Sequence, residues 1–224
     1  LYRGRRGRAP EWGEGERIGS PSVVASNVQY LAHGDWDGDG WIDLAVTYDD
    51  YTDSTTARPI GVIFRVVVLW GQPGGTFDFS DTTRLAAYGS DLWRYVTNGA
   101  TYDANRDGVC DLVLSDARGY VDSNSKRLPP LVVYAARSGE RWGRKGWPRG
   151  PSWEWWATNV SQFSWIETID HDCDGYQDVV GHLTSVGASN GFVSILYGRA
   201  AGYPDTSEAE TLDLAVANGK MCVV

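Results

Sequence analysis

Asp35-Trp-Asp-Gly-Asp-Gly-Trp-Ile-Asp43 is one of three acidic nonapeptides in this chain; the others read Asp103-Ala-Asn-Arg-Asp-Gly-Val-Cys-Asp111 and Asp170-His-Asp-Cys-Asp-Gly-Tyr-Gln-Asp178. Their first residues, 35, 103 and 170, stand 68 and 67 positions apart. So regular an interval marks a repeating structural unit, and a unit of that length points to a propeller or another repeat array. In every copy an oxygen-bearing side chain falls at positions one, three, five and nine, and glycine falls at position six.

That pattern has a direct chemical reading. Alternate side chains of a tight loop point inward, and a calcium ion takes about six to eight oxygens at about 2.3–2.6 Å. The expected ligands are Asp35, Asp37, Asp39 and Asp43; Asp103, Asn105, Asp107 and Asp111; and Asp170, Asp172, Asp174 and Asp178. Position seven changes freely, from Trp41 to Val109 to Tyr176, as a residue does when only its backbone carbonyl faces the ion. Gly40, Gly108 and Gly175 allow the sharp turn. Three calcium ions are therefore expected, the weakest at the second loop, which has one carboxylate fewer and Arg106 beside it.

Each loop leads directly into an apolar run rich in strand formers: Leu44-Ala-Val46, Leu112-Val-Leu114 and Val179-Val180. An EF-hand loop would instead run on to a glutamate at position twelve and a helix. A strand candidate also precedes each loop, at Val28–Ala32, Val96–Tyr102 and Phe163–Glu167. A further apolar run lies downstream, ending at a small-residue turn before an aromatic. It reads Val66–Gly71 before Phe77, Leu131–Ala135 before Trp142, and Val193–Gly198 before Tyr203. Each unit thus offers four strands, the content of one propeller blade.

The loops, together with Leu69-Trp-Gly-Gln-Pro-Gly-Gly-Thr-Phe77, resemble the FG-GAP/VCBS repeats that build integrin-α-type β-propellers and many bacterial surface proteins. The chain departs from the integrin style in having no Phe-Gly plus Gly-Ala-Pro pair, and Ala135 stands where the second unit's turn glycine is expected. The resemblance implies an all-β fold of four-stranded antiparallel blades, structural calcium, and a role in binding or adhesion. About three complete blades are expected, at 23–90, 91–157 and 158–213, with the end of a preceding blade at 1–22 and the first strand of a following one at 214–224. Closed propellers have about four to eight blades. The expected partner is therefore the remainder of the same propeller, another copy of it, or a different protein.

Composition fits this reading. A hydrophobic content of 42% suffices for a core, and no apolar run approaches the ~18 residues of a membrane span. The net charge is −9, and three bound calcium ions would bring it to −3. Acidity disfavours nucleic acid as a partner despite Arg3, Arg5, Arg6 and Arg8. Calcium-binding modules of about 10⁻⁴–10⁻³ M affinity work outside the cytosol, so an extracellular, cell-surface or periplasmic site is expected. Cys110, Cys173 and Cys222 share no metal-ligand spacing and read first as free thiols.

Of eleven tryptophans, five fall between Trp142 and Trp156, among Arg141, Arg144, Lys145 and Arg149. They could form an exposed ledge for a glycan or partner. The favoured expectation is plainer: Trp153 and Trp155 lie on one face of an outer strand, and Trp142 and Trp147 fill gaps between blades. No nucleophile elbow, phosphate loop or histidine cluster stands out, so the balance favours a non-enzymatic binding, adhesion or structural module. The alternative is the propeller body of a polysaccharide lyase-like enzyme with a glycan on one face.

Overall fold

A computed structural model describes residues 28–49, 64–86, 96–116, 131–144, 148, 150–155, 160–185, 191–200 and 202–213. The expected partial blades at 1–22 and 214–224, as well as Trp147, Trp156 and Cys222, lie outside the described residues.

Among the described residues every regular element is a β-strand, and the strands form three antiparallel four-stranded sheets, each built from consecutive strands in sequential order. The first sheet contains β1 (Val28–Gly34), β2 (Asp43–Asp49), β3 (Phe64–Gln72) and β4 (Thr76–Arg84). The second contains β5 (Val96–Tyr102), β6 (Asp111–Asp116), β7 (Leu131–Tyr134) and β8 (Trp153–Trp155). The third contains β9 (Val160–Ile169), β10 (Asp178–Ser185), β11 (Gly191–Arg199) and β12 (Gly202–Asp213).

Each acidic nonapeptide connects the first two strands of its sheet in the same register. Gly34 pairs with Asp43, Tyr102 with Asp111 and Ile169 with Asp178, so the residue before position one always faces position nine. The first strands lie side by side, β1 against β5 and β5 against β9. Their approach is close: a Cβ on Gly99 would stand 3.1 Å from that of Ala32 and 3.0 Å from Leu114 Cδ2.

Packing between sheets explains the apolar runs. Leu112, Leu114, Val132 and Tyr134 of the second sheet join Leu31, Val66, Val68 and Trp70 of the first in one core. The alternate residues Val113, Leu131 and Val133 join Phe163, Ile166, Val179 and Leu196 of the third sheet in another. Because a strand's side chains alternate between faces, a sheet covered on both sides reads as an unbroken apolar run, as Leu131-Val-Val-Tyr134 does.

The second unit departs from expectation after β7. Trp142 lies in the connecting turn, not in a strand, and β8 comes eleven residues later, at Trp153. The register also moves the glycine-equivalent position. Leu44 pairs with Leu69, Leu112 with Tyr134 and Val179 with Leu196, so the counterpart of Gly71 and Gly198 is Ala136 and not Ala135.

Candidate metal centre

The three nonapeptides are built by the same hydrogen bonds. Position one receives the glycine amide: Gly40 N donates to Asp35 Oδ2 at 2.9 Å, Gly108 N to Asp103 Oδ2 at 2.9 Å, and Gly175 N to Asp170 Oδ2 at 3.1 Å. Position five receives the amide of position seven: Trp41 N to Asp39 Oδ1, Val109 N to Asp107 Oδ1 and Tyr176 N to Asp174 Oδ1, at 2.8, 2.9 and 2.7 Å. The glycine at position six has φ +87 in all three, a left-handed conformation that a Cβ disfavours. These bonds hold the loop while leaving carboxylate oxygens turned inward.

The inward oxygens come together. Ligand oxygens of Asp35, Asp37 and Asp39 lie within 4.8 Å of one another, and so do those of Asp170, Asp172 and Asp174. Oxygens on opposite sides of one calcium ion are about 4.6–5.2 Å apart, twice the bond length, so both groups have the span of a single coordination shell. In the second loop Asn105 replaces one carboxylate, and its Nδ2 donates to Asp107 Oδ2 at 3.2 Å. The third loop adds a sharper sign. Asp170 Oδ1 is buried with no hydrogen-bond partner among the described residues, whereas its counterparts on Asp35 and Asp103 accept the position-five amides. A buried carboxylate oxygen without a partner is costly, and a hard cation is what such an oxygen accepts best.

Position nine has a different setting from the other three. Asp43, Asp111 and Asp178 are buried, and each carboxylate accepts two backbone N–H groups. One comes from position two of its own loop: Trp36 at 2.8 Å, Ala104 at 2.9 Å and His171 at 2.8 Å. The second comes from the end of the sheet's third strand: Gly71 at 2.8 Å, Ala136 at 2.7 Å and Gly198 at 2.7 Å. Position nine therefore ties the loop to the third strand, and Asp43 and Asp178 stand outside the clustered groups of positions one, three and five. Burial, partly opposed by those donated bonds, pushes the Asp43 carboxyl up to about 7 and the Asp111 carboxyl up to about 6.

At position seven the side chains go separate ways. Val109 is buried in the first core, Trp41 is partly exposed, and the Tyr176 ring lies 3.6 Å beneath the Arg106 guanidinium. Arg106 does not sit on its own loop's carboxylates. It crosses to the third loop and donates to the Gly175 carbonyl at 2.6 Å.

A second arginine, expected only as part of a candidate exposed ledge, meets the first loop instead. Arg141, from the turn after β7, donates from Nε to Asp37 Oδ2 at 2.6 Å and places Nη2 3.5 Å from Asp39 Oδ2. Its Nη1 is 2.7 Å from Asp81 Oδ2, and Arg144 pairs with the other oxygen of Asp81. Gly139 N also donates to the Asp37 carbonyl at 2.6 Å, so this turn of the second unit rests on the first loop. Position four was missed too: Gly38, Arg106 and Cys173 all have positive φ, at 70, 60 and 60. The common conformation is hidden because three different residues adopt it.

No protein-family model matches the chain, and no curated protein matches it.

Proposed function

We propose that the three loops are structural calcium sites that staple a β-propeller of FG-GAP/VCBS style, and that the chain serves as a non-enzymatic binding or assembly module outside the cytosol. The observation that carries this reading is the third loop, where three carboxylates converge and the buried Asp170 Oδ1 lacks a protein partner among the described residues. Bound calcium would supply charge neutralisation and a rigid centre to each hairpin. The chain's own residues do the rest: positions one, three and five present oxygens, and position nine joins the loop to the third strand. A propeller also accounts for first strands lying side by side and for apolar cores between successive sheets.

The partner is a protein or the remaining blades of the same propeller, with a glycan as a further candidate. The lyase-like alternative has one observation in its favour, a hydrogen bond of 2.5 Å between the exposed side chains of Tyr30 and His33 on β1, Oη to Nδ1. New ultraviolet absorbance on incubation with uronate polysaccharides would transfer the reading to that alternative.

The deciding experiment is thermal unfolding with calcium and with a chelator. Each site contributes about 2.7 kcal/mol when calcium is a hundredfold above its dissociation constant. A melting temperature that climbs with calcium and falls with chelator is expected; identical melts would end the calcium reading.

A further inference from the structure

We propose that Arg141 is a built-in rival cation of the first loop, so that this loop binds calcium more weakly than the third despite an identical set of aspartates. The inference rests on the calcium reading above and adds to it a residue that sets one site apart from another.

Loops one and three share four aspartates, the glycine amide on position one and the position-seven amide on position five. Besides the position-one Oδ1, which accepts the Asp39 amide in loop one and has no partner among the described residues in loop three, they differ in the second oxygen of positions three and five. In loop three, Asp172 and Asp174 use Oδ1 to accept the amides of Asp174 and Tyr176. Their Oδ2 atoms have no hydrogen-bond partner among the described residues. In loop one, Asp37 Oδ1 and Asp39 Oδ1 accept the corresponding amides, but both Oδ2 atoms face the Arg141 guanidinium, at 2.6 and 3.5 Å. The oxygens an ion would need are thus already engaged by a positive charge.

That charge cannot be removed by deprotonation, because guanidinium stays protonated in proteins. It is held in place by Asp81 and by the face of Trp70, 4.9 Å from the guanidinium carbon. An incoming dication must share the carboxylates with Arg141 or displace it toward Asp81, and either route weakens binding. Loop three also has an arginine nearby, but Arg106 engages the Gly175 carbonyl and the Tyr176 ring, leaving the carboxylates unpaired. Because Arg141 belongs to the turn that rests on Asp37 through Gly139 N, filling loop one also loads the seam between the first and second sheets.

Terbium, a luminescent stand-in for calcium, can test this in the intact chain. Loop one contains Trp36 and Trp41, and neither of the other loops contains tryptophan, so the tryptophan-sensitised terbium emission that Asp39→Asn removes reports loop one, while calcium calorimetry counts all sites. Asp39→Asn and Asp174→Asn assign the loop-one and loop-three steps. In the unmodified protein loop three fills first. Arg141→Met, which keeps most of the stem, tightens the loop-one step about tenfold and leaves the loop-three step unchanged, the scale of one charge-assisted contact removed. A loop-one step that is unchanged or weaker in Arg141→Met overturns the proposal, with calcium binding itself intact. Should that variant not fold, the order of filling in the unmodified protein decides, and loop one filling first or together with loop three overturns it. Absence of calcium binding at every loop removes the calcium reading and this inference together.

Discussion

At position four of the loops one backbone conformation is imposed on three different residues, and the cost differs among them. A left-handed conformation costs a non-glycine residue about 1–2 kcal/mol, and glycine gives back part of that through its freer unfolded chain. Gly38 adopts it without strain. Arg106 offsets the strain with its bond to the Gly175 carbonyl and its place over Tyr176. Cys173 is exposed and has the same φ of 60. Cys173→Gly is therefore expected to raise stability by about 0.5–1 kcal/mol in calcium-containing buffer. Arg106→Gly is expected to gain nothing, because its compensating contacts go with the side chain. Urea unfolding of both variants checks the pair, and a loss of stability in Cys173→Gly would contradict the strain argument.

The alternation of acidic residues and the glycine at position six were readable because each is written in residue type. Arg141 was not, since it lies about a hundred positions from the aspartates it meets, and no local pattern announces a contact made by folding. The double tie of position nine was hidden for a similar reason. Its second partner is a backbone amide on another strand, and an amide leaves no mark in a sequence. Where that partner is Gly71 or Gly198, however, a trace exists. A Cβ on either would fall 2.5 Å from the Ile42 carbonyl oxygen or 2.4 Å from that of Gln177, so glycine is demanded by the neighbour's backbone.

At the level of elements, the inner hairpins follow from sequence more closely than the seams between sheets. The first three strands of each sheet fall at apolar runs, because a strand buried on one or both faces needs a run of that kind, whereas the last strands β4 (TFDFSDTTR) and β12 (GYPDTSEAETLD) carry none. Trp142 fills the gap between two sheets as expected, but does so from a turn, buried against Trp36, Trp70 and Tyr134 at ring separations of 5.8, 5.7 and 6.2 Å. Its Nε1 donates to the Ala135 carbonyl at 2.7 Å, and its own carbonyl accepts the Thr83 hydroxyl at 3.0 Å. Such burial removes Trp142 from any exposed aromatic ledge. Trp153 and Trp155 likewise turn toward the third sheet, stacking on Tyr203 and packing on Phe163. Trp142→Ala should cost about 3–5 kcal/mol, typical of a large aromatic lost from a core. Loss of protection in β3 and β7 together, measured by hydrogen exchange, would mark Trp142 as the plug of the seam; a loss confined to its own turn would refute that role.

For the whole molecule, protons on the buried aspartates and calcium on the loops they anchor act in opposite directions, and that opposition fixes how stability should vary with pH. In chelator, burial raises the Asp43 carboxyl to about 7 and the Asp111 carboxyl to about 6, and burial also raises Asp37. Unfolded aspartates titrate near 3.9, so between about pH 4 and 7 the folded chain holds more protons than the unfolded one. Stability is then greatest below the unfolded value and declines as pH rises through the folded values. Calcium, if bound as proposed, should oppose that slope, because it requires ionised carboxylates in the loops, Asp37 among them, and its affinity grows as they lose their protons. Urea unfolding across that range should give a chelator curve that falls with pH and a calcium curve that rises, the two separating most near neutrality. Charge would act in the same direction: three bound ions would carry the chain from −9 toward −3, and the unneutralised loops repel most when fully ionised. Parallel curves would mean that the loops hold their shape through protein hydrogen bonds alone, with calcium playing no part in the fold.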